Sequence, residues 1–356
     1  MSRKSIIIGV IIILIFVFAS LGFIFHDEIK NYIEEESWIY VTPYIDKNVD
    51  VANAYVNGKE LMTVNDNYLF VYNKNLETVK TENINSSDII SKSNGSYSVI
   101  ASKDKNFIKA FKSGKEIWSK ELPFAIKEIT INKNGFVSVV FLQNGYKSGL
   151  KLYNSNGDEI LNIYLASTYA VDVEISEDNK KIFVSEVDFN GINTKSNLKT
   201  IDVASNDWVV SELGDDEIAT DVEISNNNVY LLSNKAIYKF DNQGEKSLVY
   251  SFEGKNVIYA SIENNKYPFV VESDENVLKT FKDLDYYLSI PEEPMLIDSM
   301  DSNIAMCFKN EIWVVNDNCR ILKKIKINSG LESIMFFNNG KTLALIHSDK
   351  IELVNI

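Results

Sequence analysis

Residues 172–185 read DVEISEDNKKIFVS: a short alternating segment, an Asn/Asp corner and an apolar segment. In the first five letters Val and Ile alternate with Asp and Glu, the period-2 pattern of a β-strand with one buried face. The apolar segment after the corner is more continuous, as expected for a strand covered on both faces. The letters DVEIS return at 221–225, directly before another Asn-rich corner. The stretch therefore indicates a repeated strand–corner–strand unit.

Eight such corners follow one another along the chain, at spacings of 37, 40, 44, 49, 37, 38 and 37 residues. Their equivalent points are Gly58, Gly95, Gly135, Asn179, Asn228, Asn265, Asn303 and Gly340. Asn and Gly favour the positive φ that a tight turn requires. A second turn, as in KSGKEIW at 112–118, closes a hairpin later in most units, so each unit has four short strands. Repeats of this kind are typical of β-propellers.

The two ends of the repeat array complement each other. The last unit stops at Ile356 after three strands, whereas SWIYVTPYI at 37–45 precedes the first full unit and is rich in aromatic and β-branched residues. We expect this N-terminal strand to complete the last sheet, because ring closure removes an exposed sheet edge. The prediction is an all-β, eight-bladed β-propeller over residues 37–356, with seven blades as the alternative.

One hairpin carries a recognisable signature. The run Ser113-Gly114-Lys115 with Trp118 matches the Thr-Gly-Lys-x-x-Trp pattern of tryptophan-docking repeats, and residues 37–356 resemble the quinoprotein-like and WD40-like β-propellers. We call the place of Trp118 in the unit the docking position. In other units it is held by Val79, Leu161, Leu248 and Leu322. The resemblance implies the fold but not quinoprotein chemistry, because the sequence lacks the adjacent cysteines typical of pyrroloquinoline quinone enzymes. No cofactor is predicted.

The N-terminal region differs in composition from the repeats. Residues 6–25 contain no charge and are long enough for one membrane crossing at about 1.5 Å per residue. Arg3 and Lys4 precede this run and acidic residues follow it, so the positive-inside rule places residues 1–5 in the cytoplasm and the propeller outside the cell. The expectation is a single-pass cell-membrane protein with a transmembrane helix at 6–25 and a stalk at 26–36. A cleaved signal peptide is the alternative.

This layout also resembles an uncharacterised family of membrane-anchored proteins from Gram-positive bacteria, a resemblance that implies no known activity. The chain carries a formal net charge of -14. A surface of this sign repels phosphate backbones, so nucleic acid is excluded as a partner. Cys307 and Cys319 are expected on strands separated by a third, too far apart for a disulfide, and therefore as free thiols.

The sequence predicts no catalytic residue and no metal site. His347 is the single histidine of the repeat region, so a Ser-His-Asp triad would have to be built on it alone, and the sequence around it offers no nucleophile or orienting acid in a recognisable pattern. A zinc site lacks the cluster of three or four His, Cys, Asp or Glu ligands that it needs. Calcium binding by turn carboxylates stays open. Asp172 and Asp221 recur at the same position of adjacent units, and we interpret them as candidate contacts for a cation or polar ligand in the channel. Solvent-facing side chains are the alternative, because alternation does not say which face is inward.

The longest unit contains an insertion at 186–210, in which Phe189, Asn190 and Trp208 are candidate partner-binding residues. Packing between blades is the alternative for Trp208, which lies near a docking position. We therefore expect a binding or scaffolding module of the cell envelope, without catalysis and with a protein partner. The alternative is a hydrolase of envelope glycans or peptides that uses carboxylates in the channel. A hydrolase of this kind would be recognised by several acidic side chains in one pocket, at least one of them with a raised pKa.

Overall fold

The described part of the chain is built from β-strands alone. The computed structural model describes residues 44–46, 54–57, 60–65, 67–86, 88–241, 244–282, 285–327, 330–337, 339–348 and 350–356. Their strands form eight four-stranded sheets. The prediction of an all-β, eight-bladed propeller is therefore confirmed.

Each of the first seven blades consists of four consecutive antiparallel strands. The strands of blades 1 to 4 are β2 (Ala54–Asn57), β3 (Glu60–Asn65), β4 (Tyr68–Tyr72), β5 (Thr78–Asn83); β6 (Ile89–Asn94), β7 (Tyr97–Ser102), β8 (Phe107–Lys112), β9 (Lys115–Glu121); β10 (Ala125–Ile131), β11 (Val137–Leu142), β12 (Ser148–Tyr153), β13 (Glu159–Leu165); and β14 (Tyr169–Ile175), β15 (Lys181–Asp188), β16 (Lys195–Asp202), β17 (Trp208–Glu212).

Blades 5 to 7 follow the same plan. Their strands are β18 (Ala219–Ser225), β19 (Asn228–Ser233), β20 (Ala236–Phe240), β21 (Lys246–Ser251); β22 (Val257–Ser261), β23 (Phe269–Glu272), β24 (Val277–Phe281), β25 (Asp285–Ser289); and β26 (Leu296–Met300), β27 (Asn303–Cys307), β28 (Glu311–Asn316), β29 (Ile321–Lys326). Blade 8 combines β30 (Ser333–Phe336), β31 (Thr342–Ile346) and β32 (Lys350–Asn355) with β1 (Tyr44–Asp46).

The first strand of each blade is the innermost one. First strands of successive blades, such as β10, β14 and β18, contact one another and thereby surround a central channel. The last strands, such as β17, are mostly exposed and form the rim. The second strands are the most buried, as β11 shows with five consecutive buried residues, which confirms the expectation that they are covered on both faces.

The ring closes through both chain ends. β1 pairs antiparallel with β32, with Ile45 opposite Ile351, so the strand nearest the N-terminus completes the last sheet. Its described bounds are Tyr44–Asp46, and residues 37–43 lie outside the described part. Leu61 of blade 1 packs in one apolar cluster with Ile346 and Ile351 of blade 8.

The hydrophobic core is divided among the junctions between blades. Among the described residues, eight clusters of buried apolar side chains occur, and each joins two successive blades, the last joining blade 8 to blade 1. A single four-stranded sheet has two apolar faces and cannot cover both by itself, so each blade depends on its neighbours for burial.

The turns between first and second strands match the predicted corners closely. Positive φ angles occur at four predicted points, Gly95, Gly135, Asn179 and Gly340. The points at Asn228, Asn265 and Asn303 are wrong by one or two residues, because the positive φ angles there belong to Asn226, Asn227, Asn264 and Asp301. Asn and Asp adopt this conformation about as readily as each other, so the letters alone do not fix the register. Gly58 lies outside the described residues.

The docking position is occupied in fewer blades than predicted. Trp118 is buried against the ring of Tyr153 in the next blade, and Leu161 is also buried. The prediction is wrong for three residues, since these are exposed: Val79, Leu248 and Leu322. In blades 1 and 7 a residue of the hairpin turn is buried instead against the preceding blade, Leu76 against blade 8 and Cys319 against blade 6.

The two cysteines are free and buried. Cys307 lies on β27, but Cys319 lies in the turn after β28 and not on a strand as predicted. In the part of the chain that the structure describes, no helix has the length and hydropathy of a membrane span. The predicted transmembrane helix at 6–25 and stalk at 26–36 lie outside that part.

Candidate functional site

The central channel is lined by polar residues of the innermost strands. In four successive blades the pairing of the innermost strand shifts by one residue, just before Glu128, Asp172, Asp221 and Tyr259. Such a β-bulge bends the strand and redirects the side chain that follows. In β14 the alternating residues Val173 and Ile175 are buried in the core between blades, whereas Asp172 stays partly accessible.

Asp172 and Asp221 come together on neighbouring innermost strands. Asp172 Oδ2 accepts a hydrogen bond of 2.9 Å from the backbone N–H of Val222, and the Asp172 carboxylate also hydrogen-bonds to Asp221. Two carboxyl groups can share such a bond only when one of them holds a proton. Burial, this hydrogen bond and the charge of Asp172 raise the pKa of Asp221 to about 9. The pair therefore holds a proton at neutral pH.

Two more carboxylates lie near this pair on the same two strands, Glu174 on β14 and Glu223 on β18. Glu174 accepts a 3.0 Å hydrogen bond from Thr130 Oγ1, and burial together with the charge of Asp172 raises its pKa to about 8. Burial and the charge of Glu174 raise the pKa of Glu223 well above its ordinary value. We define the channel cluster as Lys92, Glu128, Asp172, Glu174, Asp221, Glu223, Glu263 and Asp298.

The one cation of the channel cluster is Lys92 of β6, whose Nζ donates a 2.6 Å hydrogen bond to Glu263 Oε1. Lys92 belongs to blade 2 and Glu263 follows the innermost strand of blade 6, and these blades are opposite each other in a ring of eight. The ion pair therefore crosses the channel. Burial opposes the charge on Lys92, but the carboxylates of Glu263 and Asp172 raise its pKa above the ordinary value.

The channel cluster has a surplus of negative charge without the arrangement of a metal site. Across the described ranges, no three His, Cys, Asp or Glu side chains are placed so that they could hold a metal ion. The carboxylates reduce their mutual repulsion by keeping protons, as the raised pKa values of Glu174 and Asp221 indicate. A ligand that donates hydrogen bonds or carries positive charge is complementary to such a lining.

A second feature lies on one face of the ring. We call the upper face the side of the ring that carries the connections between second and third strands, such as 189–194, and the lower face the side that carries the corners. Exposed apolar side chains of blades 3 and 4 gather on the upper face. We define the aromatic patch as Leu142, Tyr146, Tyr164, Tyr169, Phe189 and Ile192.

Ring contacts hold the aromatic patch together. The centroids of Tyr146 and Tyr164 are 4.8 Å apart, and those of Tyr169 and Phe189 are 6.0 Å apart. Lys147 connects the two pairs, because it follows Tyr146 in the chain and places its Nζ 5.2 Å from the ring centroid of Tyr169. Phe189 is 57% exposed. Contiguous exposed aromatic surface of this kind marks interaction sites.

The other two candidate residues have different surroundings. Asn190 donates from Nδ2 to the backbone oxygen of Ser167 at 2.8 Å, and so fixes the loop of Phe189 against the connection between blades 3 and 4. Trp208 is 60% exposed at the start of β17, the outermost strand, with Lys199 Nζ 5.9 Å from its ring. The alternative in which Trp208 packs between blades is therefore wrong. Trp208 lies at the lower end of the rim, away from the aromatic patch.

Sequence reasoning identified the central pair of the channel cluster and missed its surroundings. Asp172 and Asp221 stand in identical pentapeptides, whereas Lys92, Glu128 and Glu263 stand in segments that do not repeat this pentapeptide. The β-bulges before Glu128, Asp172 and Asp221 leave no trace in the hydrophobic pattern. A charged residue in the middle of an innermost strand, such as Lys92 in IISKSN, is the signal that was available.

The fold and site define an eight-bladed β-propeller with an acid-lined channel and an aromatic surface on its upper face. Residues 37–356 match the model of the Family of unknown function (DUF5711), and the chain belongs to that family. No curated protein matches the sequence. Among solved structures, the fold is similar to that of BamB from Moraxella catarrhalis, with a TM-score of 0.54 and 12% identity over 89% of this chain and 100% of that one.

Kluyveromyces lactis Hsv2 has a TM-score of 0.48 and 11% identity, and the match covers 78% of this chain and 97% of that one. For Kuenenia stuttgartiensis hydrazine synthase the TM-score is 0.46 and the identity 11%, over 88% and 97% of the two chains. At these identities the BamB likeness shows the fold alone.

Proposed function

We propose that this protein is a binding or scaffolding module of the cell envelope, without catalysis, whose partner is a protein. In this proposal residues 6–25 hold it in the cell membrane, with residues 1–5 in the cytoplasm and the propeller outside. A rigid ring that presents loops on one face is suited to binding, because binding needs no catalytic set.

The observation that carries the proposal is the aromatic patch on the upper face. Tyr169 and Phe189 are exposed, and their rings contact each other on the surface. Large apolar side chains that cluster on a surface lower the solubility of a protein unless a partner covers them. Aromatic residues are also the commonest anchors of protein interfaces.

Photo-cross-linking in intact cells tests this role. Phe189 is replaced by the photoreactive residue p-benzoylphenylalanine, and Tyr287, 75% exposed on the outermost strand of blade 6, is replaced in the matched control. Position 189 is expected to capture a discrete envelope protein, identified by mass spectrometry, that position 287 does not capture. The same set of proteins from both positions, or none from position 189, would contradict the proposal.

Membrane attachment has its own test. Deletion of residues 6–25 is expected to move the protein from the membrane fraction to the soluble fraction of lysed cells, because it removes the apolar run. Retention in the membrane fraction would show that another part of the chain holds it there.

A hydrolase remains the second candidate, and the shared proton between Asp172 and Asp221 favours it. Paired carboxyl groups that share one proton are the chemistry of aspartic dyads. The pair is hydrogen-bonded, so its carboxyl groups are closer than the roughly 5 Å that a retaining glycosidase needs, which makes peptides the better substrate class. Cleavage of fluorogenic peptides by wild type, lost in both Asp172→Asn and Asp221→Asn, would establish the hydrolase in place of the binding module.

A further inference from the structure

The aromatic patch and the channel cluster are joined by one strand. β14 begins at Tyr169 in the aromatic patch and reaches Asp172 three residues later, about 10 Å along at roughly 3.3 Å per residue. Val171, the residue at the bulge between them, is exposed. A ligand seated on the rings therefore has a short apolar path to the carboxylates.

The two surfaces differ in charge, and the difference defines the ligand. In the aromatic patch the nearby charges are already engaged: Lys147 lies over the ring of Tyr169, and Asp188 accepts hydrogen bonds from Asn190. The channel cluster has one lysine against a surplus of carboxylates, in a chain of net charge -14. A complementary ligand combines apolar groups with a positive charge.

Lys92 shows how the channel cluster holds an ammonium group. Its Nζ lies 2.6 Å from Glu263 Oε1, while Asp172 and Glu128 also interact with its charge. The remaining negative charge is reduced by protons, one of them shared between Asp172 and Asp221. A second ammonium or guanidinium group that enters from the upper face supplies the counter-charge that those protons now supply.

We propose, building on the binding role above, that the partner contributes a polypeptide segment in which a lysine or arginine stands beside apolar side chains. The apolar side chains lie on Tyr169 and Phe189, and the basic side chain enters the upper mouth of the channel toward Asp172. Anionic lipid is disfavoured because the channel cluster repels its head groups. A neutral glycan offers no charge to complement the carboxylates.

Matched peptides test the assignment. The full-length chain, purified in a mild detergent, is titrated with seven-residue peptides that have Leu and Phe around a central lysine, norleucine or glutamate. Vesicles of phosphatidylglycerol and phosphatidylcholine and a neutral hexasaccharide represent the other ligand classes. The lysine peptide is expected to bind at least about tenfold more tightly than the norleucine peptide, which differs only in its charged end.

Variants separate the two surfaces. Asp172→Asn keeps an acceptor for the Val222 N–H and removes the charge, so the preference for lysine is expected to vanish while weak binding persists. Asp172→Ser removes the same charge with a smaller side chain and is the second variant in case the first does not fold. Phe189→Ala is expected to weaken binding of every peptide about tenfold, whereas the control Tyr287→Ala leaves it unchanged. Thermal unfolding verifies that each variant is folded.

Equal affinity for the three peptides, or no peptide binding, overturns the inference. Selective binding of the vesicles or of the hexasaccharide overturns it as well. The broader binding role fails separately, when cross-linking at position 189 captures no protein.

Discussion

At the scale of single residues, the channel cluster places acids where their charge is costly. Asp172, Glu174 and Asp221 lie close together in a partly buried channel, and their environment favours the protonated form of Glu174 and Asp221. Asp298 shows the same effect more weakly, because burial raises its pKa to about 6 against the opposing hydrogen bond from the Phe336 N–H. Proton binding and the stability of the ring are therefore linked.

The linkage predicts that the protein becomes less stable as the pH rises from 5 to 9. The pKa of Glu174 is raised to about 8 and that of Asp221 to about 9, so the folded state binds these protons more tightly than the unfolded state. Their contribution is complete below about pH 4 and is lost as the pH passes through 8 to 9. Thermal unfolding at pH 5, 7 and 9 measures the trend, and Asp221→Asn is expected to flatten it. A Tm that rises over this interval would contradict the linkage.

Lys92 is predicted to contribute more than a surface lysine does. Lys92→Gln removes the one cation of the channel cluster, so repulsion among the acids increases and the Tm falls, more at pH 9 than at pH 5. Lys133 is the matched control, because it also pairs with a glutamate of another blade, Glu177, but at a more exposed site. Lys133→Gln is expected to change stability by less than about 1 kcal/mol. Equal effects of the two variants would show that the ion pair across the channel has no special role.

At the scale of elements, the hairpins between third and fourth strands repeat one device. The side-chain oxygen of Asn73, Asn154 or Asn316 accepts hydrogen bonds from the backbone N–H groups two and four residues later. Such Asx turns reproduce a backbone turn and explain why Asn recurs there. The hairpin of blade 3 also receives Trp118 from blade 2, which joins a local turn to the packing of two blades.

This hairpin is predicted to tolerate no side chain at Gly157. Its φ is +85°, and an added Cβ would lie 2.9 Å from Cγ of Trp118. Gly145 has a similar φ, +87°, with nothing within 4 Å, so Gly145→Ala reports the backbone strain alone, about 1 kcal/mol. Gly157→Ala is expected to lower the free energy of unfolding by about 1–3 kcal/mol more. Equal losses in chemical denaturation would mean that Trp118 moves aside without cost.

At the scale of the whole molecule, stability comes from a closed circuit of junctions. Each apolar cluster belongs to two blades, and the cluster of blades 8 and 1 forms only when residues more than 280 positions apart meet, as Leu61 and Ile346 do. β1 adds backbone pairing to the same region. The junction of the chain ends is therefore as much a part of the core as any other.

Loss of apolar volume at this junction is predicted to destabilise the entire ring. Ile346 is fully buried, and Ile346→Ala is expected to cost about 2–5 kcal/mol in urea unfolding. Ile192→Ala, at a fully exposed position of the aromatic patch, is the control and is expected to stay within about 0.5 kcal/mol of wild type. A similar small effect at both positions would indicate that the ring does not depend on closure.

The sequence was sufficient for the number of blades and for most turns, because both depend on local patterns. Alternation around DVEIS and the Asn/Gly corners is read within about ten residues. The ion pair of Lys92 and Glu263 depends on blade count and on the diameter of the ring, neither of which any window of sequence contains. Docking by Val79 failed for a related reason, because burial of that side chain depends on the surface that the next blade presents, and Val79 stays exposed.

The direction of β1 has a consequence for how the ring is presented. β32 runs downward from the upper face, where Lys350 follows the connection from β31, and β1 is antiparallel to it with Asp46 opposite Lys350. The polypeptide therefore arrives at β1 from below and leaves it going up. If residues 6–25 anchor the chain as proposed, we expect the anchor to hold the ring from its lower face, opposite the rings of Tyr169 and Phe189. Such an orientation displays the rings to the surroundings of the cell and turns the lower face toward the membrane that holds the anchor.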